Sequence, residues 1–511
     1  MLQFQLPDLH ISHSTQLVLA AVCLGVLGVL KAYLPRSEGG FPLPPSPPTW
    51  RLRGHFLPLH NSFLTIGGWI EEYGPLITIR SGTQKIVIIG RYKAAVDIME
   101  KQGVTVADRP RMIAAGEMLS GGLSVVFAPA GDRFRRVRRV LHTYLQPKAA
   151  EEYQPLQMSH AKKTVLDILD DPYNFQNHTI TYAATTMMKV AYGKDAHTSA
   201  TDPDVTEARE SLDRVTKALR PGAHLVDTIP WLKYLPWYGQ ELKRGFESTR
   251  RLHMRQLNNV KQQLNSNTDI GPSFAKYVLE NGHSYGITEI EAAFLAGAFL
   301  VAGPPTTFLA ICTVLMAAAC FPEEQAKVQA ELDAVIGRHR APTLSDQQSL
   351  PCLEAFISEA LRWRPMVANG LPHRTTKDVI WANYCIPAGT TISGNHWAIS
   401  RDPDVFPEPH AFKSQRWIDD QGRLRDDIKF FVYGFGRRVC PGQHVANRSI
   451  FINSLLILWA FDLTLDPTAP LDDMGYMKEG VQRPCSIEFK TRVRDTELRQ
   501  MMQEHSESDV A

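Results

Sequence analysis

The sequence has almost no net charge. Lys and Arg number 55 against 53 Asp and Glu in 511 residues, a formal balance of +2, so composition supplies no field that would gather nucleic acid or another polyanion. Cysteine is sparse. The seven cysteines, Cys23, Cys312, Cys320, Cys352, Cys385, Cys440 and Cys485, are odd in number and scattered, with no CxxC pair. A disulfide framework and a zinc-finger spacing are therefore excluded, and a reducing compartment is the simpler setting for most of the chain. No Gly-Lys-Ser/Thr occurs, which removes a phosphate-binding P-loop. No internal repeat is evident. With 44% hydrophobic and 21% charged residues the chain is neither collagen-like, coiled-coil nor largely disordered.

Long uncharged runs are few, and the first lies near the amino terminus. Residues 17–30, LVLAAVCLGVLGVL, carry no charge, and the apolar stretch reaches Leu34 if Lys31 extends its ammonium to the interface. A cleaved signal peptide would have a similar core, but its leader should be basic, and Met1 to Gln16 holds only Asp8 as a formal charge. The expectation is a luminal tail and single-pass anchor over 1–34. Lys31, Arg36, Arg51 and Arg53 outnumber Glu38 downstream, which places the body of the protein in the cytosol. The sequons at Asn177 and Asn447 would then stay unmodified. FPLPPSPPTW follows, with five prolines between Phe41 and Trp50; residues 35–53 are expected to form a stiff extended hinge before a domain at 54–511.

PLITIRSG and QKIVIIG predict two short strands around a turn, and most of the remainder has helical length and period. The second uncharged run, Ala292 to Phe321, is long enough to cross a membrane. Thr288 and Glu291 open it with a capping-box pattern and AGPPTT sits at its middle, which predicts a buried central helix instead. Pro304 and Pro305 remove two backbone donors opposite the carbonyls of Leu300 and Val301, leaving either a local opening with free acceptors or a structural kink. Phe321-Pro322-Glu323-Glu324 stops this helix and opens the next.

Three segments carry candidate chemistry. In Tyr433–Gly442, YGFGRRVCPG, Gly434, Gly436 and Gly442 surround Cys440, with Arg437 and Arg438 before it. Glycines admit a flat ligand close to backbone, and cations with oriented amides lower a thiol's pKa, so Cys440 is a candidate metal-binding thiolate; a buried structural cysteine in a glycine-rich turn is the alternative. Glu359 and Arg362 stand i, i+3 on a helix ended by Pro365, a spacing most often seen in weak surface pairs. Arg133, Arg135, Arg136, Arg138 and Arg139 form a cationic run, in which Arg135, Arg138 and Arg139 share one helical face.

In this order the anchor, the proline-rich hinge, ADRP at Ala107 to Pro110, the Arg-rich helix, the AGxxTT helix, Glu-x-x-Arg, FKSQRW and the cysteine loop closely resemble a microsomal, fungal-like cytochrome P450. The resemblance implies a mainly α fold with small β-sheets, a triangular helical body with a long central helix over haem b. It makes Cys440 the thiolate ligand of the haem iron within a loop that includes Tyr433 and Gly436, puts Arg438, Arg138 and His373 at the haem propionates, and makes Glu359, Arg362 and Arg416 a buried charge network. Thr306 becomes the alcohol that delivers protons to oxygen. The exposed side of the Arg-rich helix becomes a surface for an acidic NADPH-cytochrome P450 reductase.

Four positions depart from that family's pattern. Tyr433 replaces Phe and adds a hydroxyl that needs a partner. Phe134 replaces Trp and lacks its indole N–H, and Ser414 replaces Pro. Pro305 occupies the place of the acid before Thr306. The expected activity is monooxygenation of an apolar small molecule, of terpenoid or polyketide kind in fungal secondary metabolism, at the endoplasmic reticulum membrane with the catalytic domain cytosolic. A haem-thiolate isomerase or dehydratase that needs no proton relay, or a non-catalytic haem-binding membrane protein, are the alternatives.

Overall fold

The computed structural model describes residues 40–51, 54–58, 60–82, 84–220, 222–266, 271–477 and 485–504, with 18–20, 22, 23 and 25. The predicted anchor falls almost wholly outside the described residues. The helices that position the site are α1 (Ser62–Tyr73), α2 (Asp132–Leu145), α3 (Phe175–Tyr192), α4 (Pro203–Ala218), α5 (Gln240–Asn265), α6 (Glu289–Cys320), α7 (Pro351–Trp363) and α8 (Gln443–Ala460). Among the described residues, strands β1 (Leu76–Ser81), β2 (Gln84–Ile89), β3 (His373–Arg374), β4 (Val379–Trp381), β5 (Tyr384–Ile386), β6 (Thr391–Gly394), β7 (Phe461–Leu465) and β8 (Ile487–Thr491) form three small sheets. The mainly helical expectation holds.

The two strands legible in the sequence pair antiparallel, with Leu76 opposite Ile89 and Ser81 opposite Gln84. β6 then adds parallel to β2, and β3 adds antiparallel to β6 with His373 opposite Ile392, which joins the His373 segment to the same sheet as the early hairpin. The hinge does not stand free of this sheet. Its prolines donate no hydrogen bond, but the carbonyls of Pro45 and Pro44 accept from the Thr78 amide and hydroxyl at 2.7 and 2.8 Å, and that of Pro42 accepts from the Cys385 amide at 2.9 Å. Extended backbone with unused acceptors is complementary to a strand edge.

α6 is the axis of the fold. Its amino terminus is closed by the predicted capping box: the Glu291 amide donates to Thr288 Oγ1 at 3.3 Å, and the Thr288 amide donates to the Glu291 carboxylate at 3.2 Å. It is mostly buried within the fold, as a central helix should be. Residues 292–300 pack in one core cluster with α2, α3 and α5, and residues 308–319 in another with α7 and α8. The helix continues through Pro304 and Pro305 without a break, so the expected opening is no interruption of the backbone path.

Candidate active site

The cysteine loop is built by backbone geometry. The Cys440 amide donates to the Tyr433 carbonyl at 3.0 Å and folds the segment back on itself. Gly434 and Gly436 adopt φ of 86° and 56°. At Gly436 a Cβ would fall 2.5 Å from the Met99 carbonyl oxygen, so only glycine lets the loop seat there. The Cys440 side chain is half-buried, followed at Gly442 by α8. Burial raises its thiol pKa, against the opposing pull of the Gly442 amide and the Arg138 charge. The expected depression is therefore absent in the protein alone; bonding to a metal cation is what deprotonates a thiol in such surroundings.

Four basic groups converge beside this loop. Arg438 donates from Nε to the Ala107 carbonyl at 2.6 Å and from Nη2 to that of Ala128 at 2.7 Å, while its buried Nη1 has no partner among the described residues. Its guanidinium lies 3.6 Å over the ring of Phe134, which fills the place of the expected indole with a cation–π contact. Arg138 donates to the Val439 carbonyl at 3.0 Å, next to the cysteine. Arg109 is buried and donates to the carbonyls of Val126 and Pro372. The His373 Nδ1 meets the Val106 carbonyl at 2.9 Å.

These groups repel one another. Burial, then the charge of Arg438, pushes Arg109 down to about 9. Burial followed by Arg109 pushes His373 down to about 3. Burial pushes Arg438 down to about 10; Asp108 opposes the shift and Arg138 adds to it. Asp108 is itself engaged, paired with Arg374 at 3.0 Å and accepting from the Ala130 amide at 2.7 Å. A buried cationic cluster with an orphan guanidinium nitrogen calls for an anionic ligand. The two propionates of haem b, with a thiol alongside for the iron, fit that demand.

On α6 the two core clusters leave a gap. Ala302 and Thr306 are exposed, and Ala298, Val301, Pro305 and Leu309 half-buried, although buried residues flank them on the same helix. These positions form one helical stripe. Among the described residues no side chain fully covers this stripe, which lies midway along a helix that packs against α8. Thr306 Oγ1 donates to the Ala302 carbonyl at 2.8 Å and lies 3.4 Å from that of Gly303.

The charge network is deeper than its spacing suggests. Glu359 and Arg362 are fully buried, joined through both carboxylate oxygens at 2.7 Å. Glu359 also accepts from Arg416 Nε at 3.1 Å, the Lys413 amide at 2.8 Å and Trp417 Nε1 at 3.0 Å. Arg362 donates onward to the carbonyls of Ser400 and Pro409, each at 2.8 Å. The three residues thus form the buried network that the resemblance implied, not the surface pair that the spacing alone suggests: loop carbonyls satisfy the guanidinium's donors where solvent would otherwise be needed. Ser414, in the place of the usual Pro, donates its amide and hydroxyl to Glu324.

The Tyr433 hydroxyl finds its partner in Asn447 Oδ1 at 2.6 Å. The cationic run divides: Arg138 turns to the cysteine loop, Arg133 and Arg136 meet Glu291 at 2.9 and 3.5 Å, and Arg135 and Arg139 are exposed. Sequence reasoning missed Arg109, although it stands in the ADRP segment; the signal available was a lone arginine before a proline, with no period to mark it as buried.

The family model for Cytochrome P450 matches residues 44–490. Cytochrome P450 monooxygenase 113 of Postia placenta is 45% identical over 483 residues, covering 93% of this chain and 97% of that protein. Cytochrome P450 monooxygenase 64 of the same fungus is 46% identical over 485 residues, 94% and 98% of the two chains. A cytochrome P450 monooxygenase of Armillaria gallica is 34% identical over 483 residues, 91% and 92% of the two. A likeness that runs the length of both chains, joined to a cysteine loop, an anion-seeking cluster and a central helix with an open stripe, places this chain in the cytochrome P450 family of haem b monooxygenases.

Proposed function

We propose that the protein inserts one oxygen atom of O₂ into an apolar small molecule, with electrons supplied from NADPH by a separate reductase and Cys440 as the haem ligand. The observation that carries this reading is the set of Arg109, Arg138, Arg438 and His373 gathered beside Cys440, which Asp108 offsets only in part. Bound haem supplies the iron at which dioxygen is activated, and a thiolate ligand favours O–O cleavage. Arg438, Arg138 and His373 orient the propionates, Gly436 and Tyr433 shape the loop, and Glu359, Arg362 and Arg416 hold the segment behind it. The apolar stripe of α6 faces the substrate and excludes water, and Thr306 Oγ1 holds the proton that passes toward oxygen. The carbonyls of Leu300 and Val301, opposite the two prolines, are acceptors for an ordered water in that relay.

A membrane position with a cytosolic domain, at the endoplasmic reticulum, suits the exposed apolar surface of segment 224–239. Trp231, Tyr234 and Trp237 are 60, 76 and 67% exposed there, and aromatic residues of this kind favour the lipid–water interface. The exposed Arg135 and Arg139 suit an acidic reductase. The fungal relatives and the apolar stripe suit a terpenoid or polyketide from secondary metabolism.

The test is a carbon monoxide difference spectrum of the reduced protein followed by NADPH-dependent turnover with reductase. Cys440→Ser is expected to abolish the thiolate Soret band, and its retention would move the ligand to another cysteine. One observation favours a second reading: Pro305 takes the place of the relay acid and the Thr306 proton is committed to a backbone carbonyl. Rearrangement or dehydration of an already oxygenated substrate needs no such relay. A thiolate band without reductase-dependent oxygenation would select it.

A further inference from the structure

We infer that Glu100 is a positioning residue for the cysteine loop, holding the turn that aims Cys440 and Arg438. Glu100 ends a π-helical segment, Val96–Glu100, well before the loop in the chain. Its Oε2 accepts from the Gly436 amide at 2.5 Å, and its Oε1 pairs with Lys429 Nζ at 2.5 Å. One carboxylate therefore ties the approach to the loop to its apex.

Gly436 is the point where that tie has most leverage. It opens the short turn Gly436–Arg438, whose carbonyl end is closed by the Val439 amide at 3.2 Å. Arg438 lies two residues on and Cys440 four. Beside Gly436 the backbone of the Glu100 segment approaches so closely that a Cβ would meet the Met99 carbonyl oxygen at 2.5 Å and Gly103 Cα at 3.2 Å. The segment after Glu100 then supplies the Ala107 carbonyl to Arg438 and the Val106 carbonyl to His373. Glu100 thus registers one continuous stretch, 99–107, against the loop that carries both the ligand and a propionate clamp. A hydrogen bond from a backbone amide to a carboxylate is roughly twice as strong as a neutral one, and the Lys429 contact fixes which oxygen faces Gly436. The Glu100 side chain is 33% exposed, so its loss admits water in place of leaving a dry cavity.

This inference rests on Cys440 as the haem ligand, and the experiment separates the two. Full-length protein in microsomes is reduced under carbon monoxide, and haem content and the rate of loss of the thiolate Soret band are followed at fixed temperature. Glu100→Ala is expected to lose the band about tenfold faster than wild type from the same initial haem stoichiometry. Glu100→Gln, which keeps an acceptor oxygen, and Lys429→Met, which keeps the carboxylate, are expected to lose it about threefold faster. Asp97→Asn is the control: Asp97 lies on the same segment and binds Lys93, Lys101 and Trp381, away from the loop, so its band should decay at the wild-type rate. Wild-type decay in Glu100→Ala, or equally fast decay in Asp97→Asn, overturns the assignment. Should Glu100→Ala yield no holoprotein, wild-type decay in Glu100→Gln overturns it alone. Retention of the thiolate band in Cys440→Ser defeats the underlying ligand reading instead.

Discussion

The hydroxyl of Thr306 donates to the carbonyl of Ala302, one turn back on the central helix, at 2.8 Å. The hydroxyl's only proton is thus occupied within the helix, while its lone pairs remain open on the exposed stripe. To pass a proton outward the group must first accept one from water or turn from Ala302. In the proposed relay Thr306 would act as a gate whose resting position is set by the same helix that carries Pro304 and Pro305.

Thr306→Ala is expected to lower product formed per NADPH by about tenfold at saturating substrate, with more peroxide released; positioned proton transfer is typically worth about 10² to 10⁴ in rate. Product and NADPH are measured together with reductase. Equal coupling and equal rate in the two proteins would remove the relay and support rearrangement chemistry.

Glu359→Gln leaves Arg362 fully buried without its counter-charge. Breaking a buried pair on one side costs about 3–5 kcal/mol. The expected result is loss of folded protein or a sharply lower midpoint in thermal unfolding, without a special effect on substrate selectivity. A variant with wild-type stability and altered product pattern would contradict this structural role.

His253 on α5 is buried with neither ring nitrogen hydrogen-bonded among the described residues, edge-on to Phe294 at a centroid distance of 4.8 Å. Burial pushes its pKa down to about 4 from an ordinary 6.5. The folded state therefore disfavours the proton that the unfolded state binds, so the contribution is whole above pH 6.5 and lost as pH falls toward 4; its size is at most about 3 kcal/mol. His253→Leu should flatten the fall of the unfolding midpoint between pH 6.5 and 4. An unchanged slope would show that other groups govern acid stability.

On the proposed cytosolic placement both sequons are expected to stay unmodified, because the domain would never meet the glycosylation machinery. Asn447 in addition spends its side-chain oxygen on Tyr433. Mass analysis before and after glycosidase treatment checks this, and a sensitive mass on Asn177 or Asn447 would reverse the orientation.

Features written in consecutive residues were legible: the capped central helix, the β1–β2 hairpin and the glycine-lined cysteine loop. Features made by distant partners were not legible from local spacing, and the buried network was named only through the family resemblance. The Glu359–Arg362 spacing is identical in a surface pair and a buried one; what distinguishes them is the arrival of the Ser400, Pro409 and Ala411 carbonyls. Arg109 depends on Pro372 in the same way. The thiol's raised pKa escaped because local sequence displays nearby cations but not the depth at which they act.

The proline segment lends its carbonyls to Thr78 and Cys385, and so belongs mechanically to the domain and not to the tether. Only residues 35–41 are left to connect the proposed anchor with the first docked carbonyl, at Pro42, a leash of at most about 25 Å when fully extended. If the proposed anchor sits in a bilayer, a leash that short would restrict how the domain can roll over it, and so limit which of its faces meet lipid and which stay turned away. Removing residues 1–34 would free the domain and keep its edge intact, whereas trimming onward to residue 50 would also unzip the lining of the sheet.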